Sequence, residues 1–179
     1  MTATILRNGT IAGAIAGIAL IVTMLLFFDR VVGTVGMAVG YLTMLVALSF
    51  VFVAIKQERD GARGGTIGFW PALAVGLGVS VVAGVFYVLA WELTIALSGR
   101  DFAGAFAQMM IDGARAGGAT GAALDKAVAE ARAFEASYRN PLYRMPLTFT
   151  EIFPVGVLVS LVSAALLSRR TFLPARLAR

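Results

Sequence analysis

The chain has 179 residues, of which 59% are hydrophobic and only 14% charged, with a net charge of +5. That balance leaves too little polar surface to coat a water-soluble globule and fits a chain whose solvent is partly lipid. Cysteine and histidine are both absent, which excludes disulfides, Cys/His zinc sites, haem on histidine and triads with an imidazole base.

The basic residues flank apolar spans and form no stripe with interleaved aromatics. Anionic lipid rather than nucleic acid is therefore the expected counter-charge, and neither a metal nor a cofactor is expected. Residues 9–28 carry no charge. At about 1.5 Å per residue they reach roughly 30 Å, the hydrocarbon thickness. The run ends at Phe28-Asp29-Arg30 without a small-residue cleavage site, so it reads as a membrane span and not as a removed signal peptide.

Asp29-Arg30 makes a tight polar turn into a second uncharged span at 31–55. Its charged and glycine-rich continuation at 56–65 reads as a solvated cytoplasmic loop. A third span follows at 69–91, entered by Phe69 and Trp70 as an aromatic anchor with Pro71 in the first turn. Between 98 and 146 the hydrophobicity falls and charges of both signs appear. Asp101 is placed to cap a helix with Phe102, Phe106, Met109 and Met110 on one side, and Gly117-Gly118 is placed to end it. Thr120 is placed to start a second helix with Leu124, Val128 and Ala131 at helical spacing and Glu135 spaced to pair with Arg139. Tyr138 to Pro141 closes it. The fourth span covers 147–167, interrupted by Glu151 and Pro154 and stopped by Arg169-Arg170.

The expected fold is an all-α integral membrane four-helix bundle, a single membrane domain, with an extracytoplasmic helical hairpin at about 101–138 between spans three and four. Orientation follows from lysine and arginine alone. Arg7, Lys56, Arg59, Arg63, Arg169, Arg170, Arg176 and Arg179 collect close to helix ends on one side. The seven on the other side lie mostly in the long loop. The first side is read as cytoplasmic, with both termini inside.

Small residues recur at every fourth position: Gly9, Gly13 and Gly17; Gly36 and Gly40; Gly76, Ser80 and Gly84; Gly156, Ser160, Ala164 and Ser168. Such ladders let membrane helices pack by van der Waals contact, either within one chain or across a homodimer face. Glu92 and Glu151 lie in or at the end of apolar spans, where an ionised carboxylate costs several kcal/mol unless it is paired, neutral or wet. One reading makes them a proton or cation site, with Tyr41 and Tyr87 at similar depth and with oxygens near Thr150, whose carbonyl Pro154 frees. The other has them satisfied by Arg100, Arg139 or Arg144, which would pin the hairpin. No nucleophile–base pair or metal-ligand cluster can be assembled, so no enzyme is expected. Lipid, a homo-oligomer or a membrane or periplasmic protein remain as partners.

Several stretches carry a family resemblance. They are Gly40-Tyr41-Leu42-Thr43-Met44, Phe52-Val53-Ala54-Ile55-Lys56, Arg59-Asp60, Gly65-Thr66-Ile67-Gly68-Phe69, Tyr87-Val88-Leu89-Ala90-Trp91-Glu92 and Tyr138-Arg139-Asn140-Pro141. The most specific is Thr148-Phe149-Thr150-Glu151-Ile152-Phe153-Pro154-Val155-Gly156. Together they resemble DUF4199, a bacterial membrane family of unknown function, over nearly the whole chain. The resemblance implies a four-span bacterial inner-membrane protein and gives weight to Glu92 and Glu151, but brings no substrate. Two functions follow: a non-enzymatic protein of interaction or envelope organisation, or a small proton- or cation-coupled carrier.

Overall fold

A computed structural model describes residues 1–27 and 34–174, without the side chains of 34–37. The turn expected at Asp29-Arg30, Gly36 as a packing position, and Arg176 and Arg179 lie outside the described residues. Within them the chain is all-α with no strand. The helices are α1 (Thr2–Leu26), α2 (Thr34–Gln57), α3 (Phe69–Ser98), α4 (Phe102–Ala116), α5 (Gly121–Tyr138) and α6 (Pro141–Leu167). Four of them, α1, α2, α3 and α6, are long and apolar enough to cross a membrane.

These helices outrun the apolar stretches that announce them. Helix α1 begins at Thr2 rather than near residue 9, α3 runs on to Ser98, and α6 starts at Pro141 rather than near 147. At the last of these starts the proline needs no helical donor in the first turn, and the Asn140 side chain accepts from Leu142 N at 3.0 Å. Pro146 and Pro154 then lie inside α6 without ending it. Each removes one backbone donor, a loss that membrane helices tolerate where neighbours compensate. The charged stretch after α2 also departs from the expected solvated loop. Glu58–Ala62 forms a π-helical turn, and Glu58 and Arg59 are buried.

The chain divides into two compact units, Met1–Thr94 with the segment from Thr148 onward, and Ile95–Leu147. In the first unit the small-residue ladders are contact surfaces within one chain. A Cβ built on Gly9 would meet Val82 Cβ at 2.6 Å, one on Gly13 would meet Ala83 Cα at 3.1 Å and overlap Phe86 Cβ, and one on Gly17 would meet Ala90 Cβ at 2.8 Å. Three successive turns of α1 thus lie directly on α3. Helices α3 and α6 meet through a reciprocal pair: a Cβ on Gly76 would fall 2.9 Å from Ser160 Cβ, and one on Gly156 would fall 2.6 Å from Ser80 Cβ. Each serine returns its hydroxyl to the glycine four residues earlier, Ser80 to Gly76 O at 3.0 Å and Ser160 to Gly156 O at 2.7 Å. The two hydroxyls lie 3.3 Å apart. Phe149 fills the notch at Gly84, and Leu48, Val51 and Ile55 of α2 complete the core with Val75, Val79 and Ile152. Among the described residues, nothing lies within 4 Å of a Cβ built on Gly40.

In the second unit Asp101 caps α4, accepting from Gly104 N at 3.1 Å. That helix ends before Gly117-Gly118, where Gly118 takes a φ of +87° that disfavours any side chain. Thr120 precedes α5 in an extended conformation, but its hydroxyl makes no cap bond. The α4–α5 contact centres on Ala107, Ile111 and Ala131 with Val128 against them. The Tyr138 ring meets Phe106 edge-on and lies tilted against Phe134. The side expected to be apolar is split: Phe102 is buried and Phe106 meets Tyr138, while Met109 and Met110 are exposed.

Gly13→Ala should destabilise the protein by about 1–3 kcal/mol, because the atoms in its way are Ala83 backbone and Phe86 Cβ, neither of which can swing aside. Gly40→Ala should be neutral or mildly stabilising, since it fills open space and favours helix. Thermal unfolding of the two variants in detergent checks the contrast.

Candidate functional site

Among the residues grouped by sequence, Glu151 and Tyr87 come together: the Tyr87 side chain hydrogen-bonds the Glu151 carboxylate. Tyr87 is buried in α3 and Glu151 lies on the exposed side of α6, so the phenol reaches outward to hold a carboxylate that would otherwise face lipid. Glu92 is half-buried and not free. Tyr41 does not join them; it is 53% exposed on the outer face of α2. Thr150 and Pro154 are exposed as well.

A second polar cluster in the same unit was invisible as such in the sequence. Arg59, 1% exposed, is the largest fully buried side chain among the described residues. Its guanidinium donates to Leu167 O at 3.5 Å, to Phe172 O at 2.9 Å and to Leu173 O. These carbonyls belong to the last turn of α6 and the chain that leaves it, where a helix lacks internal donors. Asp60 accepts from Arg59 Nε at 2.7 Å and also pairs with Lys56. Beside it Gln57 Oε1 accepts from Arg7 at 2.7 Å and Asn8 at 3.0 Å, tying the start of α1 to the end of α2. Glu58 accepts from Thr4 and pairs with Arg63. The only signal available was continuity: these charges follow an apolar run with no helix breaker before Gly61.

The second unit holds the three arginines singled out by sequence. Arg100, Arg139 and Arg144 line one pocket of about 110 Å³ with Ile95, Asp101, Phe102, Ala103 and Tyr138. Arg144 is 8% exposed, donates to Tyr138 O at 3.1 Å and lies 5.8 Å above the Tyr138 ring. Arg139 bridges Asp101 at 2.8 Å and Glu135 at 2.9 Å through one terminal nitrogen. Hydrogen bonds from Arg132 and then Arg139 hold the Glu135 carboxyl below its usual range. A depressed folded-state value means that these pairs contribute above the ordinary glutamate range and are lost as pH falls through the depressed value.

The sequence matches the family described as "protein of unknown function (DUF4199)" over residues 7–169. The chain belongs to the DUF4199 family. No curated protein and no solved structure matches it. In this DUF4199 protein the stretch from Thr148 to Gly156, the most specific part of the resemblance, is the strip of α6 that meets α3. Glu151 takes the Tyr87 hydrogen bond, Phe149 fills the Gly84 notch and Gly156 receives Ser80. Thr148, on the same strip, is buried with its hydroxyl oxygen unpartnered.

Arg59→Met keeps the stem but removes every donor from the carbonyls after α6 and leaves Asp60 without its buried partner. It should destabilise the protein by about 3–5 kcal/mol. Lys56→Met, at a half-exposed position, should change it by less than about 1 kcal/mol. Thermal unfolding and limited proteolysis near Phe172 read both, with faster cleavage expected only in the Arg59 variant.

Proposed function

We propose that this DUF4199 member is a non-enzymatic protein of the bacterial inner membrane, in which α1, α2, α3 and α6 anchor α4 and α5 for interaction in the envelope. The observation that carries this reading is the engagement of the polar groups inside the first unit, the buried Thr148 hydroxyl excepted. The Ser80 and Ser160 hydroxyls serve a helix crossing, Arg59 closes the end of α6, and Tyr87 holds Glu151. The charged surface with room for a partner belongs instead to Ile95–Leu147. No cysteine or histidine exists to build the commoner nucleophile–base or metal chemistries.

A carrier reading has one observation in its favour, a carboxylate and a phenol hydrogen-bonded between two membrane helices. It predicts proton- or cation-coupled flux in reconstituted vesicles that both Glu92→Gln and Glu151→Gln abolish. The reading proposed here predicts no flux above empty liposomes, and a lower unfolding temperature for Glu151→Gln because Tyr87 loses its carboxyl acceptor, a difference of about 1–2 kcal/mol. Specific wild-type flux lost in both variants would replace the proposal with the carrier.

The lysine and arginine asymmetry supports a topology with both termini in the cytoplasm and α4 and α5 outside. Reporter fusions after Lys56 should read cytoplasmic and fusions at Gly117-Gly118 external. A cytoplasmic signal at Gly117-Gly118 reverses the orientation.

A further inference from the structure

We infer that the Thr148 hydroxyl holds a water molecule buried between α3 and α6, and that this water hydrogen-bonds the Glu151 carboxylate. Thr148 is 3% exposed, and its Oγ1 has no hydrogen-bond partner among the described residues. Other buried hydroxyls of the first unit are answered by their own helix. Ser80, Thr94 and Ser160 each donate to the carbonyl four residues earlier, and Thr148 does not. A buried polar group without a protein partner is characteristically met by ordered water.

The helix register brings the Glu151 carboxylate to the same turn. Ser160 faces Gly76 and Gly156 faces Ser80. That antiparallel pairing, carried about two turns further, sets Thr148 level with Val88 and beside Tyr87. Tyr87 hydrogen-bonds Glu151, so the carboxylate is drawn from the exposed side of α6 toward the turn where Thr148 is buried. Residues three apart on a helix have Cβ atoms about 5–6 Å apart. No direct bond joins the two side chains, and an oxygen between them makes the two shorter bonds that such a gap admits. A carboxylate offers about four lone-pair sites, which one phenol does not exhaust.

The donor set selects water over a cation. Water accepts from Thr148 and donates to Glu151, using both capacities of a hydroxyl-sized oxygen. A hard cation such as Ca²⁺ or Mg²⁺ takes about six oxygens or more, and one hydroxyl with one carboxylate supplies too few. Water also has a short way in. Helix α6 has 27 residues, against about 20 needed to cross the hydrocarbon, and Thr148 lies in its first third. The water belongs to the first unit alone and does not depend on what α4 and α5 bind.

The test uses the full chain in detergent. Thr148→Val keeps the side-chain shape and removes the hydroxyl. Loss of an orphaned hydroxyl would raise the unfolding temperature, whereas loss of a water anchor should lower it by about 2–4 °C. Thr148→Ser keeps the hydroxyl and should recover most of that loss. Infrared difference spectroscopy supplies a second readout, with the Glu151 carboxyl band assigned by its disappearance in Glu151→Gln. Thr148→Val should shift this band and Thr148→Ser should leave it in place. A raised or unchanged unfolding temperature in Thr148→Val overturns the inference. So does a lowered temperature with an unmoved band, because the hydroxyl then serves only its own helix. A crystal structure of the wild-type protein that resolves ordered solvent decides the matter even if the Val variant fails to fold. One oxygen bridging Thr148 Oγ1 and Glu151 supports the water; a direct bond between the two side chains, a cation in its place, or no bridging oxygen overturns it.

Discussion

Helices surrounded by lipid gain nothing from hiding apolar side chains from one another, because the tails are as apolar as leucine. What holds them is contact, and contact at short range requires backbones that can approach. The crossing of α3 and α6 meets that constraint with two glycines and two serines. Gly76 receives Ser160 and Gly156 receives Ser80, so the antiparallel helices present the same four-residue spacing to each other. Each hydroxyl is satisfied by its own helix, which permits a polar group at the crossing without an orphaned donor. The contacts of α1 on α3 at Gly9, Gly13 and Gly17, and of Phe149 in the Gly84 notch, extend the same principle along the helices.

The groups that do not fit this packing are placed where they can be answered. Arg59 is buried, yet it faces the carbonyls that α6 cannot satisfy internally and is neutralised by Asp60. A charge that would be costly in isolation thereby ties the end of α2 to the exit of α6. Glu151 is answered by Tyr87. In the second unit three arginines line one pocket with Asp101, and Arg139 there holds both Asp101 and Glu135.

Three spans were legible because an uncharged run of 20 or more residues has few alternatives to a membrane helix, and the fourth because Glu151 alone interrupts an otherwise uncharged stretch at 147–167. Their ends were not, because hydropathy falls at the interface while backbone hydrogen bonding continues, as at Thr2, Ser98 and Pro141. The Asp101 cap and the Glu135–Arg139 pair were readable since both are local in sequence. Gly13 and Gly40 illustrate the limit. Both sit in ladders of equal spacing, yet one is crowded and the other open, because spacing defines a helix face and not what lies opposite it. The burial of Arg59 was hidden for the same reason. Its partners are more than a hundred residues away, and a charged segment with glycines resembles a solvated loop until they are in place. Tyr41 and Tyr87 shared an expected depth, but depth alone left their faces undetermined.

The glycine and serine ladders at Gly76–Ser80 and Gly156–Ser160 join two helices of one chain. The chain has no cysteine of its own, so a protein carrying Ser80→Cys with Ser160→Cys tests the claim against a clean background. The hydroxyl oxygens lie 3.3 Å apart, and mild oxidation should give a monomer on non-reducing electrophoresis with both thiols consumed. Free thiols in the double variant, or covalent dimers formed by either single variant in its place, would contradict the account.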